Sequence, residues 1–297
     1  MPLPCKSHPL ASTPSDALFL GIQNADIEVC THKEDGRPVI LGNGAFGQVF
    51  KCLHSGVTPV AVKYVKTDGG NGALTQAQYQ EIRHEAGILC ALRHPNIVGF
   101  IGAYLPKPGS NQNEMTPMLV MEYMEGGDLR SALSVGQDSS QLWRHGGGVH
   151  VACDILRALH ALHHRGIIHF DVKSPNVLLG QGGRPAKLSD VGLAAQLTSS
   201  KYVHDQGMRG TFAWVAPEIL LGVPKCTEKV DMYSFGVVLW EIVTGELPQR
   251  GRLREVKVPE ECPLEIKMLI DACLYVDPVS RPSAKEAYQI VSSFEPL

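Results

Sequence analysis

The stretch His169-Phe170-Asp171-Val172-Lys173-Ser174-Pro175-Asn176 constrains this chain more than any other. It follows an apolar helical run and the turn His164-Arg165-Gly166, and it leads into Val177-Leu178-Leu179, which reads as a short strand. An Asp, a Lys two residues on and an Asn three beyond that form a compact polar set between two apolar elements. Such a loop holds a proton acceptor, a cation and a metal ligand close together. That combination suits transfer of a phosphoryl group from a metal-bound nucleotide to a hydroxyl.

The rest of the chain has to be compatible with that chemistry. With 297 residues, 44% hydrophobic and 19% charged, it has the make-up of a soluble globular protein of one large or two modest domains. A net charge of −3 without a long basic run argues against a nucleic-acid or membrane surface. Its eight cysteines are scattered with no CxxC pair, the pattern of reduced thiols in a cytoplasmic protein. No apolar run reaches the ~18 residues of a membrane span. Residues 1–26, rich in Pro, Ser and Ala, read as a flexible leader without a secretory signal.

Downstream, Gly42-Asn43-Gly44-Ala45-Phe46-Gly47 lies between two β-prone stretches, where glycines let backbone amides approach phosphate oxygens. A dinucleotide-binding turn would continue as a helix. Here Gln48-Val49-Phe50-Lys51 alternates like a strand, which disfavours an NAD(P)-dependent oxidoreductase. Lys63 lies inside the next strand, 59–65, and Glu85 sits near the edge of the buried stripe Ile82, Ala86, Leu89, Leu92 of a helix over 75–92. Strands are predicted at 97–104 and 118–123, and a boundary between a small sheet-rich lobe and a larger helical one near 124–128. Helices are predicted at 129–133, 149–163, 229–244, 264–275 and 283–294. The 229–244 helix is apolar nearly all round, hence buried. His160, His163 and His164 end the 149–163 helix, where cationic side chains favour the dipole; no carboxylate or thiolate nearby makes a metal set of them. Residues 193–210, with Thr198, Ser199, Ser200, Tyr202 and Arg209, are unpatterned, as a mobile loop is.

Taken in order, these stretches resemble a eukaryotic protein kinase over residues 27–295: the glycine-rich loop, Val60-Ala61-Val62-Lys63, Glu85, His169-Phe170-Asp171, Asn176, Asp190-Val191-Gly192 and Ala216-Pro217-Glu218. The resemblance implies an α+β bilobal kinase fold, with a small β-rich N-lobe carrying one key helix (about 27–123) and a larger, mainly helical C-lobe (about 124–295). It implies Lys63 on the ATP phosphates, Glu85 as its partner, Asp171 as catalytic base and Lys173 on the transferred phosphate. Asn176 and Asp190 would hold Mg²⁺, with Mn²⁺ as an alternative. Leu41, Gly42, Asn43, Gly44, Ala45, Phe46, Gly47, Val49, Ala61, Lys63, Met121, Glu122, Met124, Asp128 and Leu178 would bind the nucleotide. Glu218 and Arg281 resemble the large lobe's buried ion pair, and Asp231 the carboxylate that caps the catalytic loop.

Lys173 and Thr211 match the serine/threonine pattern, so the implied partner is a protein with a Ser/Thr acceptor. Gly210-Thr211-Phe212-Ala213-Trp214 and the segment 231–241 resemble the tyrosine-kinase-like group, which includes mixed-lineage, Raf-like and plant or algal kinases. Two residues depart from the family pattern. Phe170 replaces an arginine that normally pairs with a loop phosphate. Val191 replaces a Phe, giving up ~1 kcal/mol of apolar contact with Leu89, Phe100 and His169. The alternative reading is a pseudokinase, a nucleotide-binding scaffold. Protein substrate, pathway and oligomeric state are encoded in no motif.

Overall fold

The computed structural model describes residues 22, 26–44, 47–66, 75–105, 116–135, 147–197, 203–204, 210–223, 225–249 and 252–295. Ala45, Phe46, the loop residues Thr198, Ser199, Ser200, Tyr202 and Arg209, and the leader apart from Ile22 and Asp26 lie outside them. The described residues divide into two compact units, one up to Cys90 together with Phe100–Glu122, the other Ala91–Gly99 and the chain from Tyr123 onward.

The first unit is an antiparallel sheet with one helix. Strands β1 (Ile27–Val29), β2 (Ile40–Gly44), β3 (Gly47–His54), β4 (Thr58–Val65), β5 (Phe100–Tyr104) and β6 (Met118–Glu122) run in the order β1-β3-β4-β6-β5, with β2 paired to β3. Side chains alternate across the sheet, as the two-residue period of a strand requires. Met118 and Val120 face one core with Cys52, Val60 and Val62, whereas Leu119 faces another with Ile82 and Ala86 of helix α1 (Gln76–Ala91).

Ile22 departs from the expected flexible leader. It is only 7% exposed and packs in the core with Cys52, Val60 and Val62. Gly102 makes room for it, because a Cβ there would lie 2.9 Å from Ile22 Cδ1. Ile22→Ala is therefore expected to cost about 2 kcal/mol or more, read from the urea midpoint.

The second unit is mainly helical: α2 (Leu129–Val135), α3 (Gly147–His164), α4 (Pro217–Leu220), α5 (Lys229–Thr244), α6 (Leu264–Cys273) and α7 (Ala284–Ser292). Short strand pairs decorate it, among them β7 (Ile167–Ile168) and the hairpin β8 (Val177–Leu179) with β9 (Ala186–Leu188). α5 is buried almost along its whole length, as its apolar circumference predicts. It ends at Gly245, whose φ of 71° is left-handed and whose N–H caps the Glu241 carbonyl at 2.7 Å.

The predicted strand 97–104 starts only at Phe100. Residues 96–98 bind β9 instead: Val98 N–H donates to the Leu188 carbonyl at 2.9 Å and Leu188 N–H to the Asn96 carbonyl at 2.8 Å. The Asn96 amide donates to the Ala186 carbonyl at 3.0 Å. The backbone partners of this segment lie in the second unit, so residues 91–99 leave the expected N-lobe span.

Candidate active site

The loop after β7 turns inward on four side chains. The Asp171 carboxylate accepts from the Thr211 hydroxyl at 2.9 Å on Oδ1, and from the Lys173 ammonium at 2.7 Å on Oδ2. The Asn176 amide donates to the same Oδ2 at 2.9 Å and to the Asp171 carbonyl at 2.8 Å. Lys173 also donates to the Thr211 hydroxyl at 2.7 Å. Asp171 and Asn176 are each 7% exposed, so these charge-assisted bonds act in a poorly screened setting. Asp171, Lys173, Asn176 and Thr211, singled out in the sequence, thus converge on one carboxylate.

A fully buried Asp231 on α5 holds the backbone that carries them. It accepts from His169 N–H and Phe170 N–H, both at 2.9 Å, and from His163 Nε2 at 2.8 Å. Phe170 sits at φ 66°, a left-handed conformation that costs a bulky residue about 1–2 kcal/mol. The two Asp231 bonds offset that strain. His163 is therefore a cap partner rather than only a charge at a helix end. His169 donates through Nε2 to the Ser189 carbonyl at 3.0 Å and accepts Asp171 N–H on Nδ1 at 3.2 Å, which fixes its tautomer.

The two departures from the family pattern are both buried. Phe170 is 3% exposed and packs in an apolar cluster with Val215, Ala216, Ile219 and Val230, against which Leu193 and Leu197 also lie. Val191 is 1% exposed. The residue before it, Asp190, has left-handed backbone (φ 59°, ψ 68°) and an exposed position. Asp190 and Asn176 offer hard oxygen donors of the kind a small divalent cation takes. The Asn176 nitrogen is committed to Asp171, so its Oδ1 is the atom that would face an ion. The residues fit such an ion.

In the first unit, strand pairing brings much of the expected nucleotide set to one face of the sheet. Gly42 pairs with Val49, Val49 with Lys63, and Ala61 with Met121. On this face the Lys63 ammonium lies 2.8 Å from Glu85 of α1, with the side chains 12% and 13% exposed. Leu41 and Asn43 are exposed on β2, and Glu122 closes β6. The three glycines differ in what requires them. A Cβ on Gly47 would sit 2.1 Å from the Tyr64 carbonyl oxygen, so the sheet itself demands glycine there. At Gly42 and Gly44 nothing among the described residues lies closer than 4.0 Å and 3.9 Å respectively. Among the described residues, packing does not require glycine at those two positions, and the missing Cβ leaves their backbone open.

The remaining candidates, Met124, Asp128 and Leu178, belong to the second unit. Met124 and Leu178 are half-buried, and Leu178 bridges to Asp128. The Asp128 carboxylate caps α2, accepting Ser131 N–H at 2.8 Å and the Ser131 hydroxyl at 2.6 Å.

One site residue escaped the sequence. Glu241, fully buried on α5, accepts from the Ser174 hydroxyl at 2.6 Å, the Trp214 indole at 2.8 Å and Arg130 at 3.3 Å. Burial pushes its carboxyl above the ordinary range, and these three donors pull the other way. Its signal was present: a charge inside an otherwise apolar helix has to be paired.

The protein kinase domain model matches residues 37–291. Among curated relatives, the probable serine/threonine-protein kinase drkD of Dictyostelium discoideum is 36% identical over 84% of this chain and 19% of its own length. The serine/threonine/tyrosine-protein kinase HT1 of Arabidopsis thaliana is 30% identical over 86% of this chain and 65% of its own. Human mitogen-activated protein kinase kinase kinase 11 is 30% identical over 95% and 34%. The chain spans less than two thirds of the length of each of these relatives. On the matched model and the ordered motifs together, the chain belongs to the protein kinase family.

Proposed function

We propose that this chain transfers the γ-phosphoryl group of ATP to serine and threonine hydroxyls of protein substrates. The observation that carries the reading is the convergence of Thr211, Lys173 and Asn176 on the Asp171 carboxylate. A pseudokinase has no need to keep that set intact. In this reading Asp171 accepts the proton of the acceptor hydroxyl. Thr211 and Lys173 orient that hydroxyl, and the Lys173 ammonium offsets negative charge developing beside it. Lys63, steadied by Glu85, and the backbone amides around Gly42 and Gly44 bind phosphate oxygens. Protein kinases work with ATP and a divalent cation. Mg²⁺ is proposed here, on Asn176 and Asp190, where it neutralises phosphate charge when bound. A cytoplasmic setting is proposed too, since none of the seven described cysteines forms a disulfide. No described helix is long and apolar enough to cross a membrane.

The test is Mg²⁺-ATP phosphotransfer to a generic basic protein and to matched Ser, Thr and Tyr peptides, with Asp171→Asn as control. Label is expected on Ser and Thr in the wild type only. Equal labelling by wild type and variant overturns the assignment.

Phe170 adds a second expectation. Its ring lies in an apolar cluster with Leu193 and Leu197, where an arginine would have sought a phosphate. Apolar contact substitutes for the Arg–phosphate pair in ordering this part of the chain. Exhaustive phosphatase treatment is expected to leave the transfer rate unchanged, and loss of activity would refute it.

A further inference from the structure

Two hydrogen-bonded routes leave the Asp171 carboxylate and meet again at Glu241. Along the catalytic loop, Lys173 holds Asp171 at 2.7 Å, and the next residue, Ser174, donates its hydroxyl to Glu241 Oε1 at 2.6 Å. Along the second route, Thr211 donates to Asp171 at 2.9 Å, and Trp214, three residues on, donates its indole N–H to Glu241 Oε2 at 2.8 Å. The result is a closed ring, Asp171–Lys173–Ser174–Glu241–Trp214–Thr211, anchored on α5. Both Ser174 and Glu241 are 0% exposed, and Trp214 is 8% exposed. Arg130 of α2 is the cation facing Glu241; it also binds the Glu246 carbonyl at 3.2 Å and Ser134.

A buried carboxylate is a poor choice for stability alone, because an apolar side chain of similar volume often serves as well or better. What a carboxylate adds is two acceptor atoms at a fixed separation. Each of them takes one of the two routes. We propose that Glu241 is a positioning residue for the phosphoacceptor site, setting the separation of Lys173 and Thr211 on either side of Asp171. It touches none of these three and acts through Ser174 and Trp214. This rests on the kinase reading above and names the part of the chain that aligns its acceptor-binding groups.

The test uses the full chain and a serine peptide it phosphorylates, with Glu241→Gln, Trp214→Phe, their combination and Ser174→Ala. In Glu241→Gln the amide oxygen stays toward Ser174 and the donor-only Arg130 guanidinium, both on Oε1, so it turns an N–H toward the indole N–H. Trp214→Phe deletes the same bond from its other end. Each is expected to lower kcat by about 10–100-fold, the range a small misplacement of reacting groups produces. Nucleotide Kd, measured separately by calorimetry, is expected to stay at the wild-type value. The double variant is expected to lose no more than the worse single one, because both remove one interaction. If the two losses multiply, or if folded Glu241→Gln turns over at the wild-type rate with only its Tm lowered, Glu241 is a structural residue and the inference falls. Should Glu241→Gln not fold, Ser174→Ala decides: a lowered kcat at unchanged nucleotide Kd supports the inference, and a wild-type kcat overturns it. A wild type that phosphorylates no peptide would instead refute the kinase reading itself.

Discussion

Asp171→Asn is expected to lower phosphotransfer by about 10²–10⁴-fold, the contribution of a positioned general base, while the chain stays folded. The geometry explains why the loss is confined to chemistry. The amide is isosteric with the carboxylate and can turn to suit its neighbours. Its oxygen then accepts from Lys173 and Asn176, which hold Oδ2 at 2.7 Å and 2.9 Å. Its nitrogen donates to the Thr211 hydroxyl, which has a lone pair to spare beyond the bond it takes from Lys173. Each polar neighbour therefore keeps a bond to this side chain, the half-buried Thr211 hydroxyl turns its own proton to water, and what is lost is the proton acceptor and the charge facing Lys173. Urea midpoint and nucleotide affinity should match the wild type. A wild-type rate in this variant would mean that the proton leaves by another path and would undo the role given to Asp171.

Much of this site is legible in the sequence alone, because its parts are short stretches whose order along the chain is itself informative. The strand after Gly47 was readable from alternation, and it appears as β3. α5 was readable from its apolar circumference, with the bounds Lys229–Thr244. What the sequence hid falls into two physical kinds. One is local backbone geometry that side-chain pattern does not encode: the left-handed Phe170 and Asp190, and the break before Phe100. The other is long-range pairing. Periodicity says that α5 is buried but not that Asp231 and Glu241 inside it reach residues 62 and 67 positions away. Ile22 was missed for the same reason: it ends a short apolar run, 17–22, too brief to show a period or to say what it packs against, and only Gly102 opposite marks its place.

Arg281→Met is expected to destabilise the chain by about 3–5 kcal/mol, the cost of breaking a buried ion pair from one side. Arg281 is 1% exposed and its guanidinium is fully used. It binds Glu218 in a fork, at 2.7 Å and 2.8 Å, and donates to the carbonyls of Tyr275 at 2.8 Å, Lys229 at 2.9 Å and Val276 at 3.2 Å. Its face also lies 5.1 Å from the Tyr233 ring. Met fills comparable space but donates nothing, so a 7% exposed carboxylate and three carbonyls lose their donor together. Against a total stability of about 5–15 kcal/mol, that loss brings the fold near its threshold. Arg281→Lys keeps the charge but not the fork, and should fall between the two. Changing Glu218 to Gln in the Arg281→Met background removes the stranded charge and should recover part of the loss. Glu218 lies in the first turn of α4, and the residues just before that helix include Thr211 and Trp214. Urea melts of the three variants measure the ranking. If Arg281→Met proved as stable as wild type, the Glu218 pair would have to be screened by water, and the buried fork described above would be wrong.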